Sequence, residues 1–111
     1  MTSAPLSTVA EKRPIEHHAI VWHGIAATVV YTPDYHSTPG SAFHHCHVEV
    51  ITEPRKPLPI SETGYRSLFI NGGEVENAGG AASFAMRWLD AASKSPEWRA
   101  AVAASRQGSL F

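Results

Sequence analysis

Ala19-Ile20-Val21-Trp22-His23-Gly24-Ile25-Ala26-Ala27-Thr28-Val29-Val30-Tyr31-Thr32 is the stretch from which the fold is read. Residues 19–22 and 25–32 are rich in β-branched and aromatic types, which suit the pleated, half-buried surface of a strand. Between them stands His23-Gly24. Glycine at the second position of a two-residue turn takes the positive φ that a tight hairpin demands, although histidine is less usual at the first than Asn or Asp. The spacing predicts an antiparallel hairpin.

Reading outward, Pro33 to Ser41 holds two prolines and a glycine and is expected to be a loop. Ala42 to Thr52 alternates: Cys46, Val48 and Val50 fall on one side, His45, His47 and Glu49 on the other, as in a third strand. Three prolines between Glu53 and Pro59 forbid regular ladder pairing. Tyr65 to Ile70 reads as one more short strand, ended by Asn71-Gly72-Gly73. After Gly79-Gly80 the period changes. Ala81, Phe84, Ala85, Trp88, Leu89 and Ala92 form a helical stripe, read as core. Ser95-Pro96-Glu97 opens a second helix with a capping hydroxyl, a proline at the first position and an acid near the positive end of the dipole. Trp98, Ala101, Val102 and Ser105 line one of its faces, and Gly108 is expected to stop it. The fold class is therefore α+β: a small antiparallel sheet of three to four strands with two C-terminal helices packed on one face. Residues 1–14 are expected to be a disordered leader, 15–106 a single domain and 107–111 a tail.

A chain of 111 residues suffices for one core and is short for two. The net charge of −1 leaves no broad basic footprint, so direct, sequence-specific nucleic-acid binding is not expected. One cysteine, Cys46, excludes an internal disulfide, and it reads as a buried structural thiol. No apolar run approaches a membrane span, and residues 1–13 lack the apolar segment of a secretory signal. A bacterial cytoplasm is the expected address.

Gln107-Gly108-Ser109-Leu110-Phe111 is the stretch richest in functional meaning. It resembles the short peptide by which bacterial replication and repair proteins dock on the DNA polymerase sliding clamp, with pattern Gln, Leu, Ser or Asp, Leu, Phe. The chain matches at Gln107, Ser109, Leu110 and Phe111 and departs at Gly108. The resemblance implies that Leu110 and Phe111 anchor in an apolar cleft while the Gln107 amide sets the direction of the peptide. Gly108 removes one apolar contact and adds entropy to be lost on binding.

Two other clusters carry chemistry. His45 and His47, two apart on a strand, project from one face and can offer two ligands to a divalent metal such as zinc. His17, His18, His23 or His36 would have to supply a third. Glu62-Thr63-Gly64-Tyr65-Arg66-Ser67 gathers polar and aromatic groups in a turn. Glu62, Tyr65 and Arg66 read either as a recognition surface or as a structural turn with an internal Glu62–Arg66 pair. With its Pro57-Leu58-Pro59-Ile60 lead-in, this block is similar to small uncharacterised bacterial proteins, a resemblance that carries no activity. No serine elbow, phosphate loop or dinucleotide fingerprint is present, and the two glycine pairs are read as lacking a strand-to-helix setting. The expectation is a non-enzymatic accessory protein that docks on the clamp and needs no cofactor. The alternatives are a metal-assisted hydrolase using the strand histidines, and an oligomeric structural protein, such as a homodimer, with a swapped tail.

Overall fold

The computed structural model describes residues 13–37 and 44–108. Four strands form an antiparallel meander in the order β1-β2-β3-β4: β1 Glu16–Trp22, β2 Ile25–Ser37, β3 His44–Thr52 and β4 Tyr65–Asn71. Three helices follow: α1 Gly72–Asn77, α2 Ala81–Ala92 and α3 Pro96–Gly108. The fold is α+β, as the sequence indicated.

The hairpin closes where expected. Trp22 faces Ile25 across the turn, with φ of 48° at His23 and 80° at Gly24, the double positive φ of a type I′ turn. A non-glycine residue held at positive φ is strained. His23 offsets that strain by stacking flat on Trp22, its ring 4.0 Å away and inclined by only 10°.

β2 runs further than the sequence suggested. Pro33, assigned to a loop, lies inside the strand. Thr32 pairs with His47 and His36 with His45, so the register slips by two residues across Pro33-Asp34-Tyr35. Proline has no N–H to give a ladder, and a bulge is where a strand tolerates it. The bulge also turns Asp34 towards Arg13, whose Nε and Nη2 donate to its carboxylate, each at 3.1 Å, while its backbone N–H donates at 2.8 Å. Arg13, expected in the leader, is thereby tied to the sheet, and the Asp34 hydrogen bond raises its pKa.

Alternation decides the core. Ile20, Trp22, Val29, Cys46, Val48 and Val50 all project to one face of the sheet and are buried. α2 lies over β1 and β2, and α1 over β3 and β4. The floor of α2 is Ala81, Ala85 and Leu89, all buried; Phe84 and Trp88, read as core, are only half-buried at its rim. Small alanines let the helix axis approach the sheet, which displaces the two aromatics to the edge of the contact.

A third helix was missed. Asn71-Gly72-Gly73 does not merely end β4; the Asn71 side chain accepts from Gly73 N–H at 2.8 Å and caps α1. The first glycine pair thus has the strand-to-helix setting the sequence reading denied it. Gly72 is buried under the helix start, and α1 is a six-residue helix.

The β3–β4 connection is held by Thr52, the one buried polar residue among those described. Its hydroxyl accepts from Lys56 N–H at 2.7 Å, and its own N–H donates to the Gly64 carbonyl at 2.9 Å. Leu58 and Ser61 then exchange backbone hydrogen bonds, folding buried Leu58 and Ile60 back as a plug. Gly64 sits at φ 81°, and a Cβ there would collide with the Thr52 hydroxyl and lie 2.6 Å from the Lys56 carbonyl oxygen. Gly24 has φ 80° but open space around it. Gly64→Ala is therefore expected to cost about 3 kcal/mol or more and Gly24→Ala only about 1 kcal/mol. Urea unfolding of the two variants checks the ranking.

Tyr31 supplies a second test. Its hydroxyl is sealed beside the Cys46 thiol without a hydrogen bond of good geometry. Burial first, and the neighbouring thiol second, push its pKa up to about 12; burial likewise raises that of Cys46. An unbonded buried hydroxyl is a cost, so Tyr31→Phe is expected to be neutral or to stabilise by about 1 kcal/mol. Because the folded state holds the Tyr31 proton more tightly, its contribution is intact below pH ~10 and is lost as pH rises towards 12. Unfolding curves across that window are expected to fall more steeply for the native chain than for Tyr31→Phe.

Candidate partner-binding surfaces

α3 begins as its sequence dictates. The Ser95 hydroxyl accepts from Trp98 N–H at 3.1 Å, Pro96 occupies the first position and Glu97 the first turn. The helix meets the body through Trp98 and Val102, both half-buried, whereas Ala101, Ala103, Ala104 and Ser105 are exposed. Trp98 leans on Trp22 at 6.0 Å between ring centres. Trp22 in turn is 1% exposed and donates its Nε1–H to Asp90 of α2 at 2.8 Å. One indole thus joins the hairpin end to both long helices.

Beside this joint lie two neighbouring clefts that share Pro57, Trp98 and Ala101. One, of about 670 Å³, runs between the first turn of α3 and the 57–63 loop, with Arg66 at its wall and Glu62 and Glu97 on it. The other, of about 420 Å³, is lined by Trp22, His23, Ile25, Val102 and Ser105. The 62–67 block is therefore split by the pleat. Arg66 lies opposite Val50 on the helix-covered side, while Tyr65 lies opposite Ile51 on the open side. No ion pair joins Glu62 to Arg66; Tyr65 instead donates to Glu49 at 2.8 Å, a bond that raises the phenol's pKa, and Arg55 covers its ring.

His45 and His47 do share one face of β3, as their spacing requires. His47 stacks against Phe69, 4.4 Å between ring centres, with Tyr35 5.2 Å away and Glu49 Oε2 3.6 Å from its Nδ1. β2 separates β3 from β1, which keeps His17, His18 and His23 away from His45 and His47. His18 turns to Glu16, 2.7 Å away. Among the described residues no three His, Cys, Asp or Glu side chains are placed to hold a metal. The His36 side chain lies outside the described set, although its backbone pairs with His45.

Of the tail, the backbone of Gln107 and Gly108 belongs to α3, whose described span ends at Gly108, and Ser109, Leu110 and Phe111 lie outside the described residues. Sequence reasoning overlooked the aromatic row Tyr35–His47–Phe69, in which exposed Tyr35 and Phe69 flank a largely covered His47. The signal was present in the alternation of β4, which puts Phe69 on the same side as His47.

A family model, the KlcB third domain, matches residues 15–98. The chain belongs to the KlcB third-domain family. The match spans the sheet, α1, α2 and the first turn of α3, and residues 99–111 lie beyond it. No curated protein matches the chain, and no solved structure matches it. Within this domain of the KlcB type, no helix among the described residues is long and apolar enough to cross a membrane.

Trp98→Ala removes the joint between α3 and the body. The expected loss is about 2–3 kcal/mol, confined to the helix. Amide exchange is expected to quicken along α3 while the β2 and β3 amides keep their protection.

Proposed function

We propose that the chain is a non-enzymatic accessory module that docks on the bacterial DNA polymerase sliding clamp through Gln107–Phe111. The observation supporting this reading is the stance of α3. Its grip on the body lies at Trp98 and Val102, and residues 103–105, further along the helix towards the motif, are exposed. The division of the chain is consistent with this: the family match covers the body and stops short of the tail.

Two apolar anchors, each worth about 1.5–3 kcal/mol when buried, together with the Gln107 amide bonds, leave a weak contact after the tail has been ordered. A Kd on the order of 10 μM is expected. Such a tether raises the local concentration of whatever surface the body presents at a replication or repair site. A titration of purified clamp with the full chain tests it. Binding is expected to vanish on deletion of Leu110 and Phe111 and to tighten at least about tenfold in Gly108→Leu, which restores the missing apolar contact. Equal binding with and without the last two residues, or none by the intact chain, overturns the proposal.

A further inference from the structure

The smaller of the two clefts beside α3, about 420 Å³, is walled mainly by apolar side chains. Trp22 and Ile25 come from the hairpin, Pro57 from the β3–β4 connection, and Trp98 and Val102 from the helix. His23 and Ser105 are its polar members, and among the described residues no Lys, Arg, Asp or Glu lines it. A charged group would lose its water there without gaining a partner, so the cleft suits an apolar occupant. Two side chains of that kind stand just past the described end of the helix, Leu110 and Phe111.

We propose that Leu110 and Phe111 seat in this cleft of their own chain, and that the clamp must compete for them. The helix delivers them to it. Ala101, Ser105 and Gly108 follow at intervals of four and three, so the last described residue of α3 falls on the face that walls the cleft. Lacking a Cβ, Gly108 takes without strain the backbone angles that turn a chain back at a helix end. From Gly108 the level of Val102 lies about 9 Å back along the axis. Leu110 and Phe111 are two and three residues on, a reach of about 7–10 Å. The pair thus spans the part of the cleft between Ser105 and Val102.

Tethering favours this tail over that of a second copy. A connection of a few residues holds its end at an effective concentration on the order of mM, whereas a neighbour's tail arrives at the concentration of the protein itself. The same two anchors cannot fill two clefts at once. The closed fraction therefore raises the apparent Kd for the clamp. That consequence rests on the docking reading, while the seating itself does not.

Nitrogen–proton NMR spectra of the full chain and of a chain lacking Leu110 and Phe111 test the seating. The deletion is expected to shift the Trp98 indole and Ile25 amide signals and to leave the Trp88 indole, which lines neither cleft, in place. Ala101→Lys puts a charge into the cleft from an exposed helix position, where Glu97 four residues earlier supports a lysine. In that background the same deletion is expected to move neither signal, because the tail is already displaced. Ala101→Lys is also expected to bind the clamp about three- to tenfold more tightly than the native chain. Identical Trp98 and Ile25 signals with and without the tail, shifts that grow with protein concentration, or shifts that survive Ala101→Lys overturn the proposal. So does an unchanged affinity of Ala101→Lys for a clamp that binds the native chain. A clamp that binds none of these chains strikes the docking reading alone, because the NMR signals decide the seating without it.

Discussion

Trp22 is the contact on which the arrangement of the domain turns. It ends β1, supports the strained His23 by stacking, bonds Asp90 of α2 and receives Trp98 of α3. Aromatic pairs add about 0.5–1.5 kcal/mol beyond area burial, and a buried indole N–H must find an acceptor. Both requirements are met within one residue. The turn, the helix over the hairpin and the helix that carries the tail are thereby set relative to one another.

A second constraint acts through the pleat. Because successive side chains of a strand face opposite ways, the run Cys46, Val48, Val50 obliges the sheet to take cover on that side alone. α1 and α2 supply the cover, and no described element is left for the reverse. That reverse face keeps the aromatic row and the β3 histidines His45 and His47 together, with Glu49 drawn to Tyr65 and close to His47. The same pleat separates Arg66 from Tyr65, so a block that is continuous in sequence serves two different surfaces.

Body and tail are joined through α3. The family match ends at Trp98, the residue that fastens the helix, and the clamp-like motif begins nine residues later at Gln107.

The sequence by itself determined the hairpin, the alternation of β3, the existence of β4 and the starts of α2 and α3, because each rests on local chemistry: turn residues, period and caps. Cys46 could be assigned to the core for the same reason. What only the tertiary structure decided depends on neighbours distant in the chain. Pro33 stays within β2 because a bulge opposite β3 spares it a ladder bond, and Asn71-Gly72 opens a helix because β4 ends where a cap and a buried glycine can meet the sheet. Phe84 and Trp88 moved to the rim because alanines brought α2 close. The strand order then kept the histidines of β1 apart from those of β3, a separation that spacing along the chain cannot express.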